Sequence, residues 1–427
     1  MSAFLRELRL LLRSRAVIVT VAMLLLVTCA AVANGVLVVQ RQWQDIHAVR
    51  ALQAADEQAV ARHAHDAGDA AYYTHHVAWQ PPSTLAFTAL APRDVAPTQL
   101  RIRALALEAQ RHETEAFNPE LVAGGAFDLA FVVTYLAPLV VIALLHDLFA
   151  AERSAGRLLL LQATPFAWRR LWWPRIGSRM ALVLAALLLP LAGGVLASGT
   201  ALADALAVGL LVVAAVVFWT VLALAVVTRA QRAATAAATL VGLWFALTLV
   251  LPSATNLVVN AAVPVPAGAE IARANREAVH DGWDLPRAAT LERFVALHPE
   301  WAAHTRMSTP FHWKWYFAFQ HLGDVAVAEL ASAHHAGIAE REAWAQRAAW
   351  LLPPIAVHRA MHARAGTDVR AQLAFQVRVR AFHDRLRAFY YPYLFLDRPF
   401  GREDFARAPR FDAITAGPAV PNVREQP

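Results

Sequence analysis

Five stretches of this chain carry no charged residue: Ala16–Gln40, Leu129–Leu145, Met180–Ala203, Ala205–Thr228 and Ala233–Ala269. A helix needs roughly 20 apolar residues to cross about 30 Å of hydrocarbon. The first, third and fourth stretches meet that length, and the second meets it with His146 and Asp147 at the headgroups. The fifth is longer than one crossing needs. Lipid offers no partner to backbone polar groups, so such segments must be helices. The chain is 58% hydrophobic and 17% charged, against roughly 25% charge in soluble domains. The fold class that follows is an all-α polytopic membrane protein with about five transmembrane helices.

The short connections set the orientation. Arg6, Arg9, Arg13 and Arg15 precede the first run, and Arg153, Arg157, Arg169, Arg170, Arg175 and Arg179 follow the second. Arg229 and Arg232 follow the fourth, whereas the turn before it holds only Asp204. These twelve basic residues are opposed only by Glu7, Asp147 and Glu152, a local net of +9 against +7 for the whole chain. Basic short loops stay in the cytoplasm. The expected location is thus a bacterial inner membrane, with a cytoplasmic N-terminus and a periplasmic C-terminus. The basicity marks topology and not a nucleic-acid surface.

Two large segments then fall outside. Residues 41–126 carry seven basic and ten acidic residues, and residues 270–427 carry twenty and seventeen. Both read as mainly helical extracytoplasmic domains. In the second, Phe375, Val379, Phe382, Leu386 and Phe389 recur at helical spacing, with Thr367 or Asp368 as the cap and Pro392 at the end. The stretch WQPPSTLAFTALAPRDVAPTQ in the first reads as extended or looped. The chain divides into an amphipathic interfacial helix (1–15) and spans at 16–40, 127–149, 180–203, 205–228 and 233–255. A re-entrant or interfacial piece follows at 256–269, and a cytoplasmic loop occupies 150–179. A second crossing within 233–269, split near Pro252, is the other reading of that run. The run AAWLLPPIAV (348–357), bracketed by Arg347 and Arg359, is too short for a sixth span.

The chemistry of an enzyme is missing. A P-loop needs Lys followed by Ser or Thr after a glycine-rich turn, but the single lysine, Lys314, sits between Trp313 and Trp315. No His-Glu-x-x-His or Gly-x-Ser-x-Gly pattern occurs. Cys29 is the one cysteine, so no intrachain disulfide forms. His358 and His362 have the i, i+4 spacing that places two imidazoles on one metal, but no third ligand lies near them in sequence, so structural histidines are favoured. The aromatic run FHWKWYFAF (311–319) reads as domain core or headgroup packing.

Within the basic loop, Glu152, Gly156, Arg157, Leu160 and Pro165, then Arg169-Arg170-Leu171 and Arg175, resemble the E-x3-G-[TR]-x2-x-LL-x2-P-x-SR-x3-L-x-x-K pattern of ABC-2-type permeases. Outside the spans, further residues are similar to a bacterial branch of these permeases with uncharacterised extracytoplasmic domains. They are WQPPS at 79–83 with Arg93-Asp94, Ala365-Gly366-Thr367-Asp368, Phe382-His383, Leu386 and Phe389-Tyr390-Tyr391-Pro392. That branch is related to the permeases of nitrous-oxide-reductase maturation and gliding motility. No sixth span is legible.

The resemblance implies a non-catalytic permease subunit that pairs with a second like permease and is driven by a cytoplasmic ABC ATPase. ATP would bind on that partner, and no cofactor on this chain. It further implies that Glu152, Arg153, Gly156, Arg157, Leu160 and Pro165 form the ATPase-coupling surface, that the spans lie in membrane lipid, and that the outer segments meet cargo or a periplasmic partner. The alternative is a non-conducting scaffold or mechanotransmission subunit.

Overall fold

The computed structural model describes residues 3–90, 98–113, 127–164, 166–167 and 171–411. Among them, five helices are long and apolar enough to cross a membrane. Helix α1 (Ala3–Leu11) precedes α2 (Arg15–His63), which runs unbroken through the first apolar run and on through the charged residues beyond Gln40. Nothing after Gly35 stops it: the extension is rich in Ala, Gln and Arg, all good helix formers. The remaining spans are α5 (Leu129–Ser154), α7 (Trp173–Ser198), α8 (Leu202–Val227) and α9 (Ala233–Ala262). The short helix α6 (Leu158–Ala163) lies between α5 and α7.

The fifth run does not turn back at Pro252. Phe245, Ala246, Val250 and Leu251 all keep right-handed helical backbone through a π-helical turn at Ala246–Val250. Proline is tolerated there because the widened turn already frees its carbonyl partners. A matching π-turn, Val132–Leu136, opens α5 just before Pro138.

Beyond the spans lie α3 (Ala67–Tyr73), strand β1 (His76–Trp79), strand β2 (Gln99–Ile102) and α4 (Leu107–Glu113). After α9 come α10 (Gly268–Asp284), α11 (Arg287–Leu297), α12 (Trp313–Ala326), α13 (Ala328–Ala349), α14 (Pro353–Ala365), α15 (Val369–Phe395) and α16 (Arg402–Ala406). The strands pair antiparallel, His76 opposite Ile102 and Trp79 opposite Gln99.

The two segments expected as separate domains share one core. Ala70, Ala78, Leu100 and Ile102 pack with Phe294, Phe317, Phe375, Phe382 and Tyr390 in a single buried cluster. Periodicity locates apolar faces but not which faces meet. The α15 face is buried at Phe375, Val379, Phe382 and Leu386, with Tyr390 fully buried and Phe389 only half-buried. Asp368 caps that helix by accepting from Ala371 N at 3.1 Å. The helix runs past Pro392 to Phe395. The aromatic run 311–319 opens α12, with Trp315, Phe317 and Phe319 buried in that domain. The Lys314 ammonium lies 2.6 Å from Asp397, a structural ion pair. Arg93-Asp94 lies outside the described residues.

A loop joins this domain to the bundle. Leu85, Ala86, Phe87, Thr88, Ala89 and Leu90 are all buried. A Cβ on Gly35 would sit 2.1 Å from the Phe87 carbonyl oxygen, and one on Gly194 2.4 Å from the Phe87 ring. The two glycines of α2 and α7 therefore make the slot that the loop fills. Asp128 closes it, accepting from Leu90 N at 2.7 Å while capping α5 through Phe131 N at 2.8 Å. Non-helical backbone at this position is tolerated because it is enclosed by protein.

Candidate coupling site

Helix α1, the last turn of α5, α6, the first turn of α7 and the α8–α9 turn gather at the end of the bundle opposite the domain. Arg153 donates from Nη1 to Ala230 O at 2.6 Å, which brings the ends of α5 and α8 together. Glu152 sits at the centre of an ion-pair chain. Its two oxygens accept from Arg157 Nε and Arg175 Nη1, each at 2.9 Å. Arg175 also reaches Glu7 of α1 at 3.4 Å. Its guanidinium lies 5.4 Å from the Trp172 ring centroid, and Trp172 stacks obliquely on Phe149 at 4.3 Å. Phe4 of α1 covers Gly177.

The Glu152 carboxylate is paired within the chain and ties α5 and α7 together, with α1 joined through Arg175. Arg175 and Glu7 complete the tie. The sequence pattern singled out Arg175 only as a spacing match and Glu7 not at all, because residues so far apart in sequence give no local signal. Gly156 has φ +69° with open space where a Cβ would lie, so glycine is required there by backbone conformation and not by packing. It ends the α5 run and releases α6, where Leu158 is buried while Leu159 and Leu160 are 80% and 72% exposed. Phe166 is exposed as well. Pro165, Arg169 and Arg170 lie outside the described residues.

The histidine pair lies near the opposite end of the bundle. His358 Nδ1 is 3.2 Å from Thr134 Oγ1 in the α5 π-turn, and His362 Nδ1 is 3.0 Å from Thr367 Oγ1. His362 is buried and His358 half-buried, and each is held as a packing element by its hydroxyl partner. Among the described residues no group of three or more His, Cys, Asp or Glu could hold a metal ion.

A family model described as a domain of unknown function, DUF3526, matches residues 269–413. The match takes in α10 from its second residue and runs through α16. No curated protein and no solved structure matches the chain.

Proposed function

We propose that the chain is the membrane permease subunit of an ABC-2-type transporter, an exporter whose energy comes from a separate cytoplasmic ATPase. The observation that carries this reading is the apolar surface of α6. Leu159 and Leu160 stand exposed beside arginines, on a short helix linked to three bundle helices through Glu152, Arg157 and Arg175. An exposed apolar patch rimmed by charge marks a protein interface. A push on α6 would pass through the ion-pair chain into α7 and α1 instead of dissipating in a loose loop. ATP would be held by the partner, in keeping with the absence of a P-loop here, and a second like permease would complete the conduit.

The test is to purify the tagged chain from its native membrane and measure ATP hydrolysis in the preparation. Wild type should carry a P-loop ATPase with activity, and Leu160→Asp should lose both while its membrane yield is unchanged. A wild-type preparation with no ATPase subunit overturns the reading. Undiminished ATPase recovery with Leu160→Asp overturns the assignment of α6.

One observation favours a non-conducting mechanotransmission or scaffold subunit. The buried hydroxyls of the spans are few among the described residues, and Thr28, Thr220 and Thr248 each donate to a carbonyl of their own helix, although Thr134 meets His358 and Thr220 also reaches Met180. Uptake or export by reconstituted vesicles separates the two readings.

A further inference from the structure

Helix α13 runs antiparallel to α9 and descends toward the bundle. His334 Nδ1 meets Pro266 O at 2.7 Å, Gly337 packs on Val265, and Arg341 Nε donates to Val263 O at 2.8 Å. Further along, Ala348, Ala349 and Leu352 face a cleft of about 360 Å3 whose other wall is Pro252, Thr255 and Val259. Trp350 lies about 14 Å past Arg341 at 1.5 Å per residue, which brings it level with Leu251 of α9. Leu251 is itself about 27 Å along α9 from Ala233, inside a hydrocarbon layer of about 30 Å. The chain then turns and climbs as α14, where His358 touches Thr134 of α5 and Ser83 Oγ reaches Ala365 O at 2.6 Å. Met361 and Ala365 belong to the same buried cluster as the spans.

The turn at the bottom of this hairpin is built for a dry medium. Trp350 and Leu351 are 87% and 83% exposed. The N–H groups of Trp350, Leu351 and Leu352 bond to Arg347 O, Ala348 O and Ala349 O. Pro353 and Pro354 have no N–H, and those of Ile355 and Ala356 both bond to Leu352 O. Every amide donor from 350 to 356 is thus bonded or absent, at a helix start where free donors are normally left to water. Higher up, Glu342 and Arg359 pair across the two helices, and Trp344 lies 5.1 Å from the Arg347 guanidinium. An aromatic with a snorkelling arginine is what a headgroup layer favours.

We infer that α13 and α14 form a re-entrant hairpin whose tip, Trp350 and Leu351, is immersed in the acyl chains of the leaflet on the domain side. The partner of this surface is lipid and not a second protein. This inference stands independently of the transport reading.

Spin labels at Trp350→Cys and at Leu351→Cys, each in a Cys29→Ser background, test it in phosphatidylcholine–phosphatidylglycerol vesicles. Ala333→Cys, on the exposed upper part of α13, is the control. Power saturation with oxygen against a water-soluble nickel chelate should favour oxygen at 350 and 351 and nickel at 333. Nickel-favoured accessibility at both tip positions overturns the inference. Since both side chains are exposed, their replacement leaves the fold intact.

Discussion

Asp324 of α12 offers the sharpest test of how the domain is held together. Its Oδ1 accepts from Leu107 N at 2.8 Å, Glu108 N at 3.1 Å and Asn275 Nδ2 at 3.1 Å. Its Oδ2 accepts from Arg387 Nη2 at 2.7 Å. One carboxylate thus caps α4, ties in α10 and neutralises a buried guanidinium of α15. Loss of a helix cap costs about 1 kcal/mol, and stranding one half of a buried ion pair costs about 3–5 kcal/mol. Arg387 keeps its bond to Leu105 O at 3.2 Å, so the lower end applies and the total for Asp324→Ala is about 4 kcal/mol. At about 2–4 °C per kcal/mol for a unit of this size, Tm should fall by about 8–16 °C. Near-ultraviolet circular dichroism of the purified chain reads this loss, since the domain is dense in Trp and Tyr. Adding Arg387→Met removes the orphaned charge and should recover most of the deficit, leaving about the 1 kcal/mol of the cap. A fall under about 3 °C for the single variant, or no recovery in the double, would refute the assignment of Asp324 as the domain's electrostatic hub.

Two further outcomes are expected from packing and protonation. Gly35→Ala should destabilise by about 1–3 kcal/mol because its Cβ collides with the Phe87 carbonyl, whereas Gly193→Ala, with open space around it, should be tolerated. Equal thermal shifts for the pair would remove the slot argument. Burial lowers His321 to about 3 and His76 to about 4, and drives His383 well below 6.5. Between those values and 6.5 the unfolded chain binds more protons than the folded one, so stability is full above pH 6.5 and falls as pH drops toward 4. Glu108, held low by His112, Arg111 and Arg380 against its own burial, stays ionised throughout this window. A Tm flat from pH 7 to pH 4 would contradict the neutral burial of these histidines.

The spans were legible because hydrocarbon thickness sets a length and forbids charge, a rule that needs no tertiary information. The α15 face and its Asp368 cap were legible for a similar reason, since both are local patterns. Other features depend on residues far apart in sequence. Nothing near Arg41 indicates that α2 continues to His63, because charge ends a membrane run but not a helix. The shared core of α3, β1 and β2 with α11, α12 and α15 depends on which faces meet. The hairpin tip at 350–351 falls below the length of a span, so a length rule passes over it. At the candidate coupling site, the left-handed backbone of Gly156 and the exposure of Leu160 are local features. Glu152 does not present a free charge, because Arg157 and Arg175 already hold it.

The unbroken course of α2 bears on how the two ends of the molecule can communicate. Its C-terminal end is clamped in the domain, with Gln53 Oε1 accepting from Val77 N and Glu57 paired to Arg410. The part beyond Gln40 is a stiff arm of about 34 Å. A rigid arm trades angle for distance: a tilt of about 10° in the membrane would carry its tip about 6 Å sideways. Motion begun in the bundle would therefore arrive in the domain enlarged, without any hinge in between.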